Sequence, residues 1–465
     1  MRKIFILSGL AIIMFPILGV LASQDMARAD NDKAHSMCAA LKVSMLECPS
    51  RVWPGFFWKD LRVLLVSNKN KTAFLWNEAD EGACVSLAYD SVPKGLRKNG
   101  WNTGEYQGKQ AVSLADQGYG SEALILLVHE GFHILGQKGW KRQDDSVRGT
   151  LYPEDWRPRY LRRQIMTSLE RAFVKNDQKA LGEAAYWQKK YALEYPQDLL
   201  QNKYTDLIEG SAEYVGLRGA TVGIKGCQAS EAKICDYLRK RVGELWQKKW
   251  NNYKYKATIR EGESYAIGAI AGCLLDAQGA MNWKEKVIEG YAPMGLLAES
   301  VAPIETADNK TILKQTKSYY ERKNSEMKKL LDNYQRESLS REYFSLALPL
   351  DWLAGGTFEK EGMFNVREAD KTLQYIIGMS ADFVSPDGAS RIKIKKEFVR
   401  FGDSLYPFGG GGFVIVPLKN ATLKQNLDGS FSISATRVKA WTFSADISED
   451  TNGKRWVWVK KGVLE

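Results

Sequence analysis

The stretch Ser121-Glu-Ala-Leu-Ile-Leu-Leu-Val-His-Glu-Gly-Phe-His-Ile-Leu135 decides how this chain is read. Leu124, Ile125, Val128, Phe132 and Leu135 recur at helical spacing, Ser121 can cap the start, and Gly136 and Gly139 stop the run. The spacing predicts a buried helix over 121–135. Within it, His129-Glu130-Gly131-Phe132-His133 fits H-E-x-x-H. Residues i and i+4 share one helix face, so both imidazoles can reach a single ion. Glu130 falls about 100° further round the axis, where it can hold a water rather than bind the ion. A zinc ion acidifies such a water, and a neighbouring carboxylate can take its proton during attack on a carbonyl. The chain has only three histidines, and a chance match of this spacing is expected on the order of once in a thousand such sequences. The alternative, two buried histidines satisfied by neighbours, leaves three polar groups to be paired on an apolar helix.

A catalytic zinc takes three protein ligands and keeps one open position. The longer pattern H-E-x-x-H-x-x-G-x-x-H begins with Gly136 in place, but its last position is Gly139, and the remaining histidine, His35, lies near the N-terminus. A carboxylate is therefore expected as third ligand. The best candidate is Glu209, in Asp206-Leu-Ile-Glu-Gly-Ser-Ala-Glu-Tyr-Val215 on a predicted helix. Glu213, one turn later, could accept a hydrogen bond from a ligand imidazole. Gly210 and Ala212 are small enough to permit close approach of helices at the metal.

Taken together, His129-Glu130-x-x-His133 followed by Glu209-Gly-x-Ala-x-Tyr214 resembles the gluzincin zinc metallopeptidases, in the aminopeptidase-like and related bacterial branches, over about residues 120–280. The resemblance implies an α+β, zincin-type catalytic domain with a strand-rich N-terminal lobe and a helical C-terminal lobe. It implies one Zn²⁺ held by His129, His133 and Glu209, with Glu130 as catalytic base and Glu213 behind the ligands. That branch often carries a Tyr before Gly in a later helix, whose hydroxyl stabilises the oxyanion. Ser264-Tyr265-Ala-Ile-Gly268 fits in chain order, which makes Tyr265 the candidate and Tyr214 a weaker competitor. The resemblance further implies that a strand upstream of the zinc helix, 72–77 or 84–89, pairs with the substrate backbone. No Gly-x-Met-x-Asn loop precedes the zinc helix, which speaks against aminopeptidase activity and leaves endopeptidase activity open.

Outward from the motif, residues 36–118 read as strand-rich, with short apolar runs at 61–66, 72–77 and 84–89. Residues 137–158 are polar, with two prolines, and read as a loop. From Arg159 to Glu337 helical periodicity dominates, with helices expected near 159–175, 178–194, 199–218, 230–250, 264–278 and 312–336, the last a highly charged connecting element. After Ser340 the pattern becomes β-like. Trp441, Phe443, Ala445 and Ile447 alternate with polar residues, Phe413–Val416 follows Gly409–Gly412, Asp428-Gly429 and Asn452-Gly453 signal turns, and Trp456–Val459 reads as a strand. The expected division is an export signal over 1–29, a catalytic domain over 30–340 and a separate β-rich accessory domain over 345–465, a surface for a possible partner.

The signal reading rests on Arg2 and Lys3, the apolar run Ile4–Leu21 and the small-residue site Ala27-Arg28-Ala29. A retained anchor is the alternative, since the run is near the lower length limit for a span. No later stretch is apolar enough to cross a bilayer. The 465 residues are 44% hydrophobic and 26% charged, which excludes a disordered or fibrous chain. The formal charge of +11 comes without a basic stripe interleaved with aromatics, so no nucleic-acid groove is expected. Six cysteines follow the signal, which fits disulfides in an exported, periplasmic or secreted bacterial protein. Cys38 with Cys48, and Cys227 with Cys235, would close short loops. Cys273, in an apolar helical stretch, reads as a buried free thiol.

The expected activity is hydrolysis of a peptide bond in a protein or peptide substrate outside the cytoplasm. Two alternatives stay open: a catalytically silent cell-envelope binding protein on the same fold, and a zinc hydrolase of cell-wall amides.

Overall fold

The computed structural model describes residues 31–459 apart from 56–57, 59, 78, 119, 141–149, 252–259, 350–356, 369–370, 386–387, 389, 403–412, 428–429, 444 and 451–452. The expected signal, the four-glycine run, Asp428-Gly429 and Asn452 lie outside the described residues. The architecture is mixed α+β, with a strand-rich N-terminal region, a helical middle and a β-rich C-terminal region. The chain divides into two compact units, Met1–Ser146 with Leu161–Asp308 and Val147–Tyr160 with Asn309–Glu465.

The first unit opens with helix α1 (31–42) and a five-stranded sheet in the order β3-β2-β1-β5-β4. Its strands are β1 (Leu61–Ser67), β2 (Thr72–Trp76), β3 (Cys84–Leu87), β4 (Gly100–Tyr106) and β5 (Lys109–Ala115). The first three match the apolar runs. Residues Val63–Ser67 are all buried, as befits a central strand covered on both faces. Strand β5 carries the buried run Ala111-Val-Ser-Leu-Ala115, whereas β4 has no such apolar signature. In β4 exposed and part-buried residues alternate along Asn, Thr, Gly and Glu, as on a solvated edge, and Gln107-Gly108 turn the chain at positive φ (51° and 71°). Strands β1 and β5 run parallel, and every other neighbouring pair is antiparallel. Of the two stretches considered for pairing with a substrate, 72–77 contains β2, which is bonded on both sides and cannot receive a strand, while 84–89 contains the edge strand β3. Among the described strands, β3 and β4 are the edges.

The helices of this unit follow the expected periodicity closely. They are α2 (Ser121–Gly131), α3 (Trp156–Val174, whose first turn belongs to the second unit), α4 (Gln178–Glu194), α5 (Pro196–Lys225), α6 (Glu231–Leu245) and α7 (Arg260–Ala277). Asp177 caps α4 by accepting from Ala180 N at 3.1 Å. Pro196 starts α5, where a missing N–H costs nothing. The short helices α8 (Trp283–Ile288) and α9 (Pro293–Ser300) and α1 carry too few periodic residues to be anticipated. Helix α5 is the axis of the unit, buried almost without interruption from Thr205 to Val222.

Two disulfides join the first unit, Cys38–Cys84 and Cys48–Cys227, while Cys235 and Cys273 are free. The short-loop pairings are thereby corrected. Cys38 faces the sheet and Cys48 the end of α5, so each finds a partner brought by the fold rather than by the chain. Cys273 is buried, as its apolar surroundings suggested.

In the second unit, β6 (Thr150–Tyr152) and helix α10 (Lys310–Leu339) join the strands β7 (Phe344–Pro349), β8 (Thr357–Glu359), β9 (Gly362–Glu368), β10 (Lys371–Val384), β11 (Arg391–Gly402), β12 (Phe413–Leu418), β13 (Thr422–Gln425), β14 (Phe431–Ser434), β15 (Val438–Phe443), β16 (Ala445–Glu449) and β17 (Arg455–Val459). Their sheet has the main order β13-β14-β15-β11-β12-β7-β17-β16, with β10 bonded to β11, β8 and β9. Its core includes Leu346, Ile376, Phe383, Ile392, Val399, Val414, Val438 and Val457. Leu331 and Tyr334 of α10 pack on Phe364 and Tyr375, which gives this charged helix its one apolar stripe and its place in this unit.

Candidate metal centre

The α-helical hydrogen bonding of α2 stops at Gly131, and Phe132–Gly136 forms one π-helical turn rather than the continuous α-helix expected to 135. Such turns widen a helix locally and recur at functional sites. His129 and His133 still share a face, with ring centroids 4.6 Å apart. Helix α5 crosses beside them. Gly216 makes this possible, because a Cβ there would meet the Ile125 carbonyl at 2.8 Å and the His129 Cβ at 3.2 Å. Glu209 and Glu213, on successive turns of α5, then face the two imidazoles.

The distances define a tight triangle. His133 Nε2 lies 2.9 Å from His129 Nε2 and 3.1 Å from Glu209 Oε2, and His129 Nε2 lies 3.4 Å from the same oxygen. Ligand atoms of a tetrahedral site with bonds near 2.05 Å are spaced about 3.3 Å apart, so the triangle has the size such an ion requires. The far nitrogens are also accounted for. His133 Nδ1 donates to Gln137 Oε1 at 2.7 Å, and Gln137 Nε2 in turn donates to the Ile208 carbonyl at 2.7 Å and Ser211 Oγ at 3.0 Å. The amide is thereby locked with its oxygen toward the imidazole. His129 Nδ1 sits 3.1 Å from Glu213 Oε2, close though off the hydrogen-bond direction, and the carboxylate favours a proton on that nitrogen.

With a proton on each Nδ1, both Nε2 atoms would present lone pairs, and Glu209 adds a carboxylate oxygen whose side chain is only 3% exposed. Two imidazole nitrogens and a carboxylate oxygen brought this close in a buried place need a proton or a metal cation between them. His129, His133 and Glu209 thus form a group that could hold a metal ion.

Helix α7 closes the third side. Gly268 packs directly on Gly210, where a Cβ would meet the Gly210 Cα at 2.2 Å. The small residues beside Glu209 and in Tyr265-Ala-Ile-Gly268 thus serve close approach. Tyr265, half-buried, lies with its ring centroid 5.5 Å from that of His129. Tyr214 is turned to other work: its hydroxyl bonds Asp276 and its ring packs on Trp53 and Trp283, and burial raises its pKa well above the usual range. Glu130 is buried between the ligand histidines in sequence, 9% exposed.

Two supports had no signal strong enough to find in sequence alone. Gln137 stands one helical turn after His133, and the same i, i+4 spacing that paired the histidines could have pointed to it. The other is Arg162 of α3, which bonds Asp206 of α5 through both terminal nitrogens at 2.8 and 2.7 Å, and Glu263 of α7 through Nε at 2.8 Å. Its burial opposes the charge, but the pull and hydrogen bonds of Asp206 outweigh that cost and raise its pKa. Asp206 precedes Glu209 by one turn, and Ser264, also bonded to Arg162 at 3.2 Å, precedes Tyr265. The guanidinium thus ties together the two helices that carry Glu209 and Tyr265.

No protein-family model, no curated protein and no solved structure matches the chain.

Proposed function

We propose that this chain is an exported, zinc-dependent metallopeptidase of the gluzincin kind, hydrolysing peptide bonds of proteins or peptides outside the cytoplasm. The observation that carries the reading is the close triangle of His129 Nε2, His133 Nε2 and Glu209 Oε2, with Tyr265 against His129 and Glu130 next to it in the same helix. Two imidazoles and one carboxylate are the donor set of a catalytic zinc that keeps a position open for reaction. Zinc, when bound there, supplies a Lewis acid that polarises a carbonyl and acidifies water.

The chain supplies the rest. Glu130 takes the proton of the attacking water and returns it to the leaving amine. Tyr265 donates its hydroxyl to the oxyanion that develops on the carbonyl. Gln137 and Glu213 keep Nε2 of each histidine free to ligate. The edges β3 and β4 offer backbone groups to which an extended substrate could add. Export is supported by the apolar N-terminal run and by the two disulfides.

Glu130→Gln tests the reading. The variant should keep about one zinc per chain by elemental analysis while losing at least about a hundredfold in hydrolysis of unfolded protein, the scale of a general base. Unchanged hydrolysis, or wild-type protein that takes up no zinc with its fold intact, would refute the proposal. Activity on peptidoglycan but not on protein would move the substrate to cell-wall amides.

A further inference from the structure

The second unit carries a concave site of its own, far in sequence from the metal ligands. On β11, Ile392 and Ile394 enter the core, and on β15 so do Val438 and Ala440. By strand alternation, Arg391, Lys393 and Lys395 of β11, with Arg437 and Lys439 of the β15 segment, stand on the opposite, exposed face. A groove of about 450 Å³ opens there, lined by Ser380, Asp382, Lys393, Lys395, Arg437 and Lys439 among others. The concavity has a local cause. The β10–β11 ladder shifts register on both sides of Met379, and Gly378 takes a φ of 61°. A bulge of this kind bends and twists the strand.

The charges in the groove are arranged against one another. Lys393 is directly opposite Lys439 in the ladder. Lys395 N donates to the Arg437 carbonyl at 2.9 Å, so a second pair of cations follows the first. Like charges directly across two strands are destabilising, with Cβ atoms about 5 Å apart. The only lining carboxylate, Asp382, is already held by Arg391, whose Nε donates at 2.7 Å, and lies 3.8 Å from Lys393. Lys395 and Lys439 have no ion-pair partner among the described residues. Arg437 has Glu397 at 3.9 Å, so Lys393 and Arg437 each have one carboxylate at the edge of ion-pair range, and the described cations of the groove outnumber these carboxylates.

We propose that this groove binds a ligand bearing two or more phosphate groups. Residues i and i+2 of a strand are about 6.6 Å apart, so the pairs Lys393/Lys439 and Lys395/Arg437 form two cationic positions at that spacing. A doubly charged group between each pair relieves the repulsion that the ladder imposes, and ammonium and guanidinium groups both bind phosphate oxygens by charge-assisted hydrogen bonds. The source can be a soluble or polymeric phosphate or a lipid head group.

The test uses the whole protein with two probes, sodium tripolyphosphate by calorimetry and cardiolipin vesicles, whose head group carries two phosphates, by sedimentation, the latter against phosphatidylcholine vesicles. Lys393→Glu/Lys439→Glu should weaken binding at least about tenfold, and Lys233→Glu/Lys240→Glu, an equal charge change on exposed α6 positions, should alter it less than about twofold. Tripolyphosphate binding lost in the groove variant assigns a soluble or polymeric phosphate. Vesicle binding alone, lost in the same variant, assigns a lipid head group. No saturable binding of either probe by the wild type, or equal losses in both variants, overturns the proposal. Circular dichroism of both variants guards against misfolding, and if the groove variant unfolds, Lys395→Gln/Lys439→Gln replaces it.

Discussion

Gln137→Leu isolates the orientation of one metal ligand without touching any ligand atom. Gln137 is 8% exposed and makes three hydrogen bonds, one from His133 Nδ1 at 2.7 Å and two to the Ile208 carbonyl and Ser211 Oγ. Leucine fills a similar volume but accepts nothing. The carbonyl and the Ser211 hydroxyl keep partners inside α5, since Ser211 Oγ also donates to the Leu207 carbonyl at 2.6 Å. The group left stranded is His133 Nδ1. It can then shed its proton to the other nitrogen or rotate, and either change withdraws Nε2 from the ion. Losing such a partner weakens metal binding about 10- to 100-fold, which corresponds to roughly 1.4–2.8 kcal/mol. The assay is zinc competition against a chromophoric chelator, with thermal unfolding of the metal-free protein run beside it. Nitrogen NMR of the metal-free imidazole should show the Nδ1–H tautomer in wild type and a mixture in the variant. A zinc affinity within about twofold of wild type, in a folded variant, would refute the argument that the Gln137 amide sets the ligand.

Other consequences concern packing and pH. Gly268→Ala places a methyl group 2.2 Å from the Gly210 Cα, with backbone on both sides. Normal carbon contact requires roughly 1.5 Å more, so α7 must move away from α5 and carry Tyr265 from His129. The expected cost is about 1–3 kcal/mol, read as a lower unfolding midpoint, and an unchanged midpoint would show that the helices have slack. Glu231 is clamped by Arg51 at 2.6 Å and Arg218 at 2.9 Å. Burial pushes its pKa up, but hydrogen bonds from Arg51 and Arg218 prevail and bring it below its ordinary 4.5. The folded state then binds fewer protons than the unfolded one, so this stabilisation is present above pH 4.5 and lost as pH falls through the lowered value. Glu231→Gln should be less stable than wild type at pH 7 and lose less on acidification. Parallel midpoint curves from pH 7 to 3 would count against the clamp.

The sequence determined a good deal. Helical periodicity located α3, α4, α6, α7 and α10 to within about five residues and found α5, which runs seven residues beyond the expected end to Lys225, because those helices combine apolar stripes with clear stops such as Asp177 and Pro196. The spacing of His129 and His133 placed two imidazoles on one face, since that relation is local to a single helix. Glu209 could be nominated for its place on a later helix, yet its arrival within 3.1 Å of His133 Nε2 depends on α5 crossing α2 at Gly216. Tyr265 reaches His129 only because two glycines on separate helices meet.

What stayed hidden had non-local causes. Apart from Trp101, the exposed side of the β4 edge is polar, so the strand lacks an apolar run. The disulfides join cysteines 46 and 179 residues apart, where nearness in sequence carries no information about nearness in space. Arg162 looks like any charged residue of an amphipathic helix until Asp206 and Glu263 converge on it. Periodicity and spacing are properties of one element and can be read from the chain. Which faces meet, and which charges are therefore buried together, is settled by packing among elements far apart in sequence, and only the tertiary structure decides it.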